Sequence, residues 1–198
     1  MRIIAGTYRS RLLKSLKGQA LRPTSDRLRE TLFNVLGPSV VGARFVDVFA
    51  GTGAVGIEAL SRGAADIVFI ENHAPAAALI RRNLETLDVR SGTTILMSDA
   101  VRGLEMLASR NRPIDAPFDY VFVDPPYASS VEYSRVLRFL GTGTVVAPNG
   151  IVIVEHRHNL SLPEHVGELH RVRILKQGDA ALSFFRRSSS ADEIGSAE

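Results

Sequence analysis

From residue 44 onward the chain alternates between short apolar segments and amphipathic ones, and this alternation constrains the fold more than any other feature. Five segments rich in Val, Ile and Phe predict strands buried on both faces: Phe45–Phe49, Ile67–Ile70, Thr94–Met97, Tyr120–Val123 and Gly150–Val154. Four intervening segments predict helices: Val55–Ser61, Ala74–Leu87, Ala100–Ala108 and Val131–Leu140. Such an order predicts a doubly wound α/β fold with a mostly parallel sheet and helices on both faces.

The flanking segments complete the predicted architecture. Val172–Leu175 and Ala181–Phe185 predict an antiparallel pair around Gly178, which gives seven strands with the last one antiparallel. Apolar residues at helical spacing predict a helix up to Leu36, capped by Thr24 or Ser25. Residues 2–5 and 11–16 predict a small N-terminal β-hairpin. We therefore expect a basic arm over residues 1–21, an α/β domain over 22–187 and a disordered tail over 188–198.

Composition excludes several classes of protein. With 45% hydrophobic and 23% charged residues in 198, the chain has enough apolar material for one globular domain. The absence of cysteine excludes disulfide scaffolds, thiol catalysis and iron–sulfur clusters, and it is typical of proteins of the reducing cytosol. The five histidines show no metal-ligand spacing, so we expect no metal. We also expect no secretory signal and no membrane helix, because no apolar run reaches about 18 residues.

The net charge of +3 hides an uneven distribution. Residues 1–30 contain eight basic and two acidic side chains, a net charge of +6, which leaves −3 for the remaining residues. A basic segment on a mildly acidic body indicates a polyanionic partner, although a solvated surface would have the same composition.

A glycine loop follows the first predicted strand of the sheet. Gly51, Gly53 and Gly56 match the pattern G-x-G-x-x-G between a strand and a helix, where glycines let the backbone approach a ligand closely. Glu71 lies 20 residues after Gly51, at the end of the next strand, where a carboxylate can accept both hydroxyls of a ribose. The pattern predicts a nucleoside-containing cofactor and leaves both NAD and S-adenosylmethionine open.

Asp99 follows the third strand and has two interpretations. Its carboxylate can accept a hydrogen bond from an adenine amino group, with the backbone N–H of Ala100 also facing the ring. It can equally cap the helix that follows.

The fourth strand ends in Asp124-Pro125-Pro126-Tyr127, which indicates the chemistry. An exocyclic amine of a nucleobase is a poor nucleophile, because its lone pair is delocalised into the ring. The Asp124 carboxylate and the Pro125 carbonyl can each accept one amine hydrogen and so favour a pyramidal nitrogen. Tyr127 can stack on a base that has been flipped out of its helix. We therefore predict methyl transfer to a base amine by in-line displacement, driven mainly by alignment.

Two sets of motifs resemble a known family. Phe49-x-Gly51-x-Gly53 together with Asp124-Pro125-Pro126-Tyr127 is similar to class I S-adenosylmethionine-dependent amino-methyltransferases. Gly6-Thr7-Tyr8-Arg9-Ser10-Arg11-x-Leu13 and Arg22-Pro23-Thr24-Ser25-Asp26-Arg27-x-Arg29-Glu30-Thr31-Leu32-Phe33-Asn34-x-Leu36 resemble the bacterial RsmD family. The resemblance covers about residues 2–186. It implies a Rossmann-like methyltransferase that acts in the cytoplasm on the N2 amine of one guanine of 16S ribosomal RNA, guanine 966.

The resemblance also implies roles for particular residues. S-adenosylmethionine, converted to S-adenosylhomocysteine, would be held by Thr24, Asp47, Phe49, Ala50, Gly51, Thr52, Gly53, Glu71, Asn72, Asp99 and Ala100. The target amine would be held by Asp124, Pro125, Pro126 and Tyr127. RNA phosphates would be contacted by Arg2, Arg9, Arg11, Lys14, Arg22, Arg27 and Arg29. Arg29 has two further interpretations, as an ion-pair partner of the methionine carboxylate and as part of an exposed helix face.

Three alternatives to this function have different consequences. An adenine amino-methyltransferase acting on DNA or RNA would share the tetrapeptide at Asp124, but the N-terminal motifs argue against it. An NAD-dependent oxidoreductase would leave that tetrapeptide unexplained. A non-catalytic RNA-binding protein would not need it. We expect a monomer whose partner is 16S ribosomal RNA in a small subunit that is at least partly assembled.

Overall fold

The computed structural model describes residues 1–15, 25–109, 117–126 and 130–187, with the side chain of Ser130 left aside. The chain divides into two compact units, Met1–Gly103 and Leu104–Glu198. The predicted boundary between residues 21 and 22 lies outside the described residues, as does the predicted tail 188–198. Within the described ranges, every helix is too short or too polar to traverse a bilayer.

The first unit contains a parallel three-stranded arrangement. Its elements are α1 (Asp26–Leu36), a 3-10 turn (Gly37–Val40), β1 (Arg44–Val48), α2 (Ala54–Ser61), β2 (Asp66–Ile70), α3 (Ala74–Thr86) and β3 (Thr93–Leu96). Strand β2 pairs in parallel with β1 on one side and β3 on the other. Strands β1 and β2 are buried from their second residue onward, and Phe45 and Phe69 are completely buried, as expected for strands covered on both faces. Helix α4 (Ala100–Ala108) then carries the chain into the second unit.

The second unit combines a parallel pair with an antiparallel extension. Its elements are β4 (Phe118–Val123), α5 (Ser130–Thr142), β5 (Val146–Arg157), β6 (His165–Val166), β7 (Leu169–Gln177) and β8 (Ala180–Arg187). Strand β5 pairs in parallel with β4 and antiparallel with β8, which pairs with β7. The predicted turn at Gly178 joins β7 to β8.

The α/β alternation is confirmed, and one count is wrong. The described residues form eight strands rather than seven, because the two-residue strand β6 adds to the edge of β7. Two residues are too few to form an apolar pattern, so this strand could not be predicted from the sequence. Where strands were predicted for the N-terminal hairpin, residues 1–15 of the structure contain a single antiparallel bridge, between Arg2 and Leu12. Backbone bonds cross the hairpin on either side of this bridge, from the Ile3 N–H to the Arg11 carbonyl at 3.0 Å and from the Leu13 N–H to the Met1 carbonyl at 3.1 Å, and further bonds tie it to α2.

Candidate functional site

The loop after β1 reverses direction within six residues. Phe49, Gly51 and Gly53 all have positive φ, at 63°, 55° and 77°, and α2 begins at the next residue. The loop is held by two backbone bonds, from the Ala50 N–H to the Ile70 carbonyl at 3.0 Å and from the Gly53 N–H to the Ala50 carbonyl at 2.7 Å. A positive φ at Phe49 is strained for a non-glycine residue, and such strain is concentrated at functional sites.

The three glycines of the G-x-G-x-x-G pattern are required for different physical reasons. A Cβ at Gly56 would collide with the Phe69 ring, and one at Gly53 would stand 3.1 Å from Ile80 Cγ1. These two positions are therefore small so that α2 can pack closely on β2 and α3. A Cβ at Gly51 would have no neighbour nearer than the Phe49 carbonyl oxygen at 3.9 Å. Of these three glycines, Gly51 is the one that combines a positive φ with open space beside it.

Glu71 is tied to the loop by both carboxylate oxygens. Its Oε2 accepts a hydrogen bond from the Gly51 N–H at 2.7 Å, and its Oε1 accepts one from the His73 N–H at 2.8 Å. The side chain is only 8% exposed. Each carboxylate oxygen has a further lone pair, so these bonds orient the group without using all of its capacity as an acceptor.

Asp47 lies beneath the loop and is almost completely buried. Its Oδ2 accepts a hydrogen bond from the Gly56 N–H at 2.9 Å. Loss of hydration on burial raises the pKa of Asp47 to about 8; the bond from Gly56 opposes this rise and the negative charge of Glu71 adds to it. Asp47 thus supports the first turn of α2 from inside the unit.

Three of the remaining predicted cofactor residues, Asn72, Asp99 and Ala100, follow the ends of β2 and β3. Asp99 is exposed, and its Oδ1 accepts a hydrogen bond from the Arg102 N–H at 3.1 Å, so it caps α4 as one interpretation had it. Ala100 is buried and Asn72 is exposed. Thr52 is buried in the glycine loop, and its carbonyl accepts a hydrogen bond from Asn83. Thr24 lies outside the described residues.

The Asp124 tetrapeptide begins directly after β4, in the second unit. Asp124 is half-buried, Pro125 is buried and Pro126 is exposed. Tyr127 lies outside the described residues. The prolines fix φ at two successive positions, which restricts the backbone that carries the Asp124 carboxylate and the Pro125 carbonyl.

The basic N-terminal segment is docked along its length onto α2 and α3. The N–H groups of Ile4 and Ala5 donate to the two carboxylate oxygens of Glu58, at 2.8 and 3.0 Å. Farther along, the Tyr8 N–H donates to Ser61 Oγ at 3.0 Å, and a Cβ at Gly6 would collide with the Ser61 carbonyl. We call residues 1–15 the basic hairpin. Its backbone is fixed by the first unit rather than extended into solvent.

Most of the predicted RNA-contact residues present their side chains to solvent. Arg2, Arg9, Arg11, Lys14 and Arg27 are exposed. The Arg11 guanidinium also donates to the Thr86 carbonyl at 3.1 Å, at the last residue of α3. Arg22 lies outside the described residues.

Arg29 is different, because its side chain is completely buried. Its guanidinium donates to the Arg2 carbonyl and to Asp26 Oδ1, and its Nε lies 3.6 Å from Glu58 Oε2. Two predictions for Arg29 are wrong. Its side chain is not part of an exposed helix face, and a guanidinium buried in an ion pair cannot contact an RNA phosphate. Arg29 instead joins α1, α2 and the basic hairpin.

Glu58, Ser61 and Asn83 were not predicted as site residues, although each organises the segments described above. A signal was present for two of them. Glu58 interrupts an otherwise apolar helix, and Asn83 follows Ile80 at helical spacing on the buried face of α3. Polar residues at core positions of a helix indicate that a specific partner is buried with them.

Comparisons with known proteins identify the family. A family model described as Conserved hypothetical protein 95 matches residues 1–186. The chain is 34% identical over 194 residues to Ribosomal RNA small subunit methyltransferase D of Escherichia coli strain K12, with 97% of this chain and 92% of that protein covered. The chain belongs to the RsmD family. The resemblance drawn from the motifs is confirmed.

Solved structures agree with this assignment. The E. coli protein YhhF is 34% identical and superposes with a TM-score of 0.81, covering 96% of this chain and 99% of that one. The T. thermophilus 16S rRNA N2 G1207 methyltransferase RsmC, solved in complex with AdoMet and guanosine, is 21% identical with a TM-score of 0.67, covering 87% of this chain and 45% of that one. The second likeness shows a shared Rossmann-like methyltransferase fold.

Proposed function

We propose that this RsmD-family protein transfers a methyl group from S-adenosylmethionine to the exocyclic N2 amine of a guanine of 16S ribosomal RNA, guanine 966, in an assembled or partly assembled 30S particle. The observation that carries the proposal is that the family match spans residues 1–186, so it includes both the basic hairpin and the Asp124 tetrapeptide. The site of action would be the cytoplasm, where ribosomes are assembled, and the active form a monomer.

The residues around the glycine loop fit an S-adenosyl group. Gly51 has open space where a side chain would stand, and it lies three residues before α2 begins. The Glu71 carboxylate is held in place by two backbone N–H groups and can still accept from ribose hydroxyls. Asp99, Ala100 and Asn72 would border the adenine, and Phe49, Ala50, Thr52, Gly53 and the buried Asp47 would shape the loop. S-adenosylmethionine supplies an electrophilic methyl group on a sulfonium sulfur, and it leaves as S-adenosylhomocysteine.

The Asp124 tetrapeptide would prepare the target amine. The Asp124 carboxylate accepts one amine hydrogen and the Pro125 carbonyl accepts the other, so the nitrogen becomes pyramidal and its lone pair is directed away from the ring. Asp124 does not need to remove a proton beforehand, because the nitrogen becomes acidic once it is methylated. Pro126 stiffens the backbone, and Tyr127 stacks on the flipped base.

The basic hairpin, together with Arg22 and with Arg27 of α1, would hold the RNA backbone. The exposed basic side chains among these residues are those of Arg2, Arg9, Arg11, Lys14 and Arg27. None of the ion pairs found among the described residues includes one of them. Arg22 adds a sixth cation in sequence. Contacts of this type give affinity that is independent of base identity and falls steeply with salt. The choice of base would therefore come from the tetrapeptide and from the shape of the ribosomal particle.

The test is transfer of a tritiated methyl group to small ribosomal subunits, free 16S RNA and DNA, followed by analysis of the labelled nucleosides. We expect N2-methylguanosine from the small subunit. Methyladenosine would instead support the second candidate, an adenine amino-methyltransferase, which the tetrapeptide alone does not separate from a guanine enzyme. Labelling of DNA alone would refute the assignment to ribosomal RNA.

The role of Asp124 has its own test. Asp124→Ala should lower the rate of transfer about 100-fold or more, because a misplaced nucleophile costs at least that much. Binding of S-adenosylhomocysteine should stay close to the native value. Asp119→Ala, which removes an exposed carboxylate from the same strand, provides the control. Loss of cofactor binding in Asp124→Ala with an intact fold would place this carboxylate in the cofactor site instead.

A further inference from the structure

Asn83 is one of the most deeply buried polar side chains of the first unit, with 1% of its surface exposed. It lies in α3 and has no place in the chemistry proposed above. Its amide nevertheless makes three hydrogen bonds to backbone groups that are far apart in the sequence. A buried amide is costly unless its partners are specific, so these partners show what the residue does.

The three bonds join the basic hairpin to the glycine loop. Asn83 Oδ1 accepts from the Lys14 N–H at 2.9 Å, and Nδ2 donates to the Lys14 carbonyl at 3.2 Å. The other Nδ2 hydrogen goes to the Thr52 carbonyl, also at 3.2 Å. The orientation of the amide follows from this network, because only oxygen can accept from the Lys14 N–H and only nitrogen can donate to both carbonyls.

The helix that carries Asn83 supports the same loop through apolar contact. One turn earlier, Ile80 packs so closely on Gly53 that a Cβ there would stand 3.1 Å from Ile80 Cγ1. A helix is stiff, so α3 cannot move away from Thr52 without also moving away from Lys14. The glycine loop is therefore held by a polar and an apolar contact of the same rigid helix that bonds to Lys14.

We propose that Asn83 is a positioning residue that couples the glycine loop to the basic hairpin, so that occupancy of the cofactor site strengthens RNA binding and RNA binding strengthens cofactor binding. The proposal rests on the function proposed above, in which Thr52 belongs to the cofactor loop and Lys14 contacts RNA. A ligand that orders Thr52 favours the state in which Asn83 is bonded, and that state also holds Lys14 in place. The coupling must be equal in both directions.

The experiment measures the affinity of the whole protein for small ribosomal subunits with and without saturating S-adenosylhomocysteine. For the native protein we expect about a fivefold gain in affinity, the lower end of measured couplings. In Asn83→Asp both N–H donors are lost and a carboxylate faces two carbonyls. The affinity of this variant should therefore be about the same with and without S-adenosylhomocysteine. Ser61→Ala is the matched control, since it loosens the hairpin at Tyr8 without touching the loop, and it should keep the fivefold gain.

A second measurement uses the native protein and does not depend on the folding of a variant. Saturation with S-adenosylhomocysteine should slow hydrogen exchange of the Lys14 amide, which is bonded to Asn83, several-fold. Exchange of the Tyr8 amide, which is bonded to Ser61, should not change. Equal exchange of the Lys14 amide in the free and bound protein would overturn the proposal.

The outcomes separate this inference from the function on which it rests. If both ligands bind the native protein and neither changes the affinity for the other, the coupling is refuted while the proposed function stands. A fivefold gain that persists in a folded Asn83→Asp protein refutes the role of Asn83. Failure of the native protein to bind S-adenosylhomocysteine or small ribosomal subunits would refute the proposed function, and the coupling with it.

Discussion

Replacing Gly51 by alanine should separate the cost of backbone strain from the loss of cofactor binding. Gly51 has φ of 55°, and the new methyl group would have no neighbour nearer than 3.9 Å. Strain is therefore the main cost to the fold, about 1–2 kcal/mol for an L-residue in the left-handed region. For a chain of this size that corresponds to a fall in Tm of about 2–8 °C.

The chain offers a matched control for this strain. Gly178, in the turn between β7 and β8, has φ of 59°, and a Cβ there would meet nothing within 4 Å. Gly178→Ala should therefore lower Tm by a similar amount. It lies outside the glycine loop and is not among the proposed cofactor residues.

The assay is calorimetric titration with S-adenosylhomocysteine, alongside thermal unfolding of both variants. Gly51→Ala should bind at least tenfold more weakly, a loss of about 1.4 kcal/mol, because its methyl group occupies the space where a ligand would approach the loop. Gly178→Ala should bind like the native protein. Equal affinity in the two variants would refute the view that Gly51 is small to admit a ligand.

Three further predictions concern buried charge and the basic hairpin. Folding raises the pKa of Asp47 to about 8, so the folded protein retains a proton that the unfolded chain releases near pH 4. The free energy of unfolding should therefore fall as pH rises from about 4 to about 8. Asp47→Asn should flatten this dependence in urea denaturation, and an unchanged pH profile would contradict it. Glu58→Gln should cost about 3–5 kcal/mol in the same assay, because the buried guanidinium of Arg29 loses its buried counter-charge and keeps only the half-exposed Asp26; a loss below about 1 kcal/mol would show that the pair is dispensable. Joint replacement of Arg9 and Arg11 by alanine should reduce the salt dependence of RNA binding by about 0.7–0.9 in slope per lost phosphate contact, and an unchanged slope would exclude them from the interface.

The elements with a clear period were predictable, and the exceptions have local causes. The helix at 100–108 was predicted with its observed ends. Strand β5 begins at Val146, four residues before the predicted start at Gly150. Asn149 and Gly150 have the composition of a turn, which is why the strand was predicted to begin after them. In the structure they lie within β5, where the register against β4 shifts between Phe118 and Tyr120 and an irregularity in the pairing accommodates them. A bulge and a turn share the same residue preferences, which is why the pattern did not separate them.

The candidate site was predictable where the motif is continuous in sequence. The glycine loop and Glu71 are close together in the structure, as their positions at adjacent strand ends required. The different reasons for the three glycines were not predictable, because they depend on Phe69 and Ile80, which come from other elements. The burial of Arg29 has the same origin, since its partner Glu58 is 29 residues away and on another helix.

The basic hairpin shows what charge alone leaves open. Its net charge indicated a polyanionic partner, but charge is equally compatible with a mobile tail and a fixed surface. The structure has a fixed surface, because Glu58, Ser61 and Asn83 satisfy backbone groups more than 50 residues away in the chain. A cation whose backbone is already ordered loses less conformational entropy when it meets a phosphate, so the same charges bind more tightly and in one orientation. The buried polar residues of α2 and α3 would therefore contribute to RNA recognition without contacting RNA.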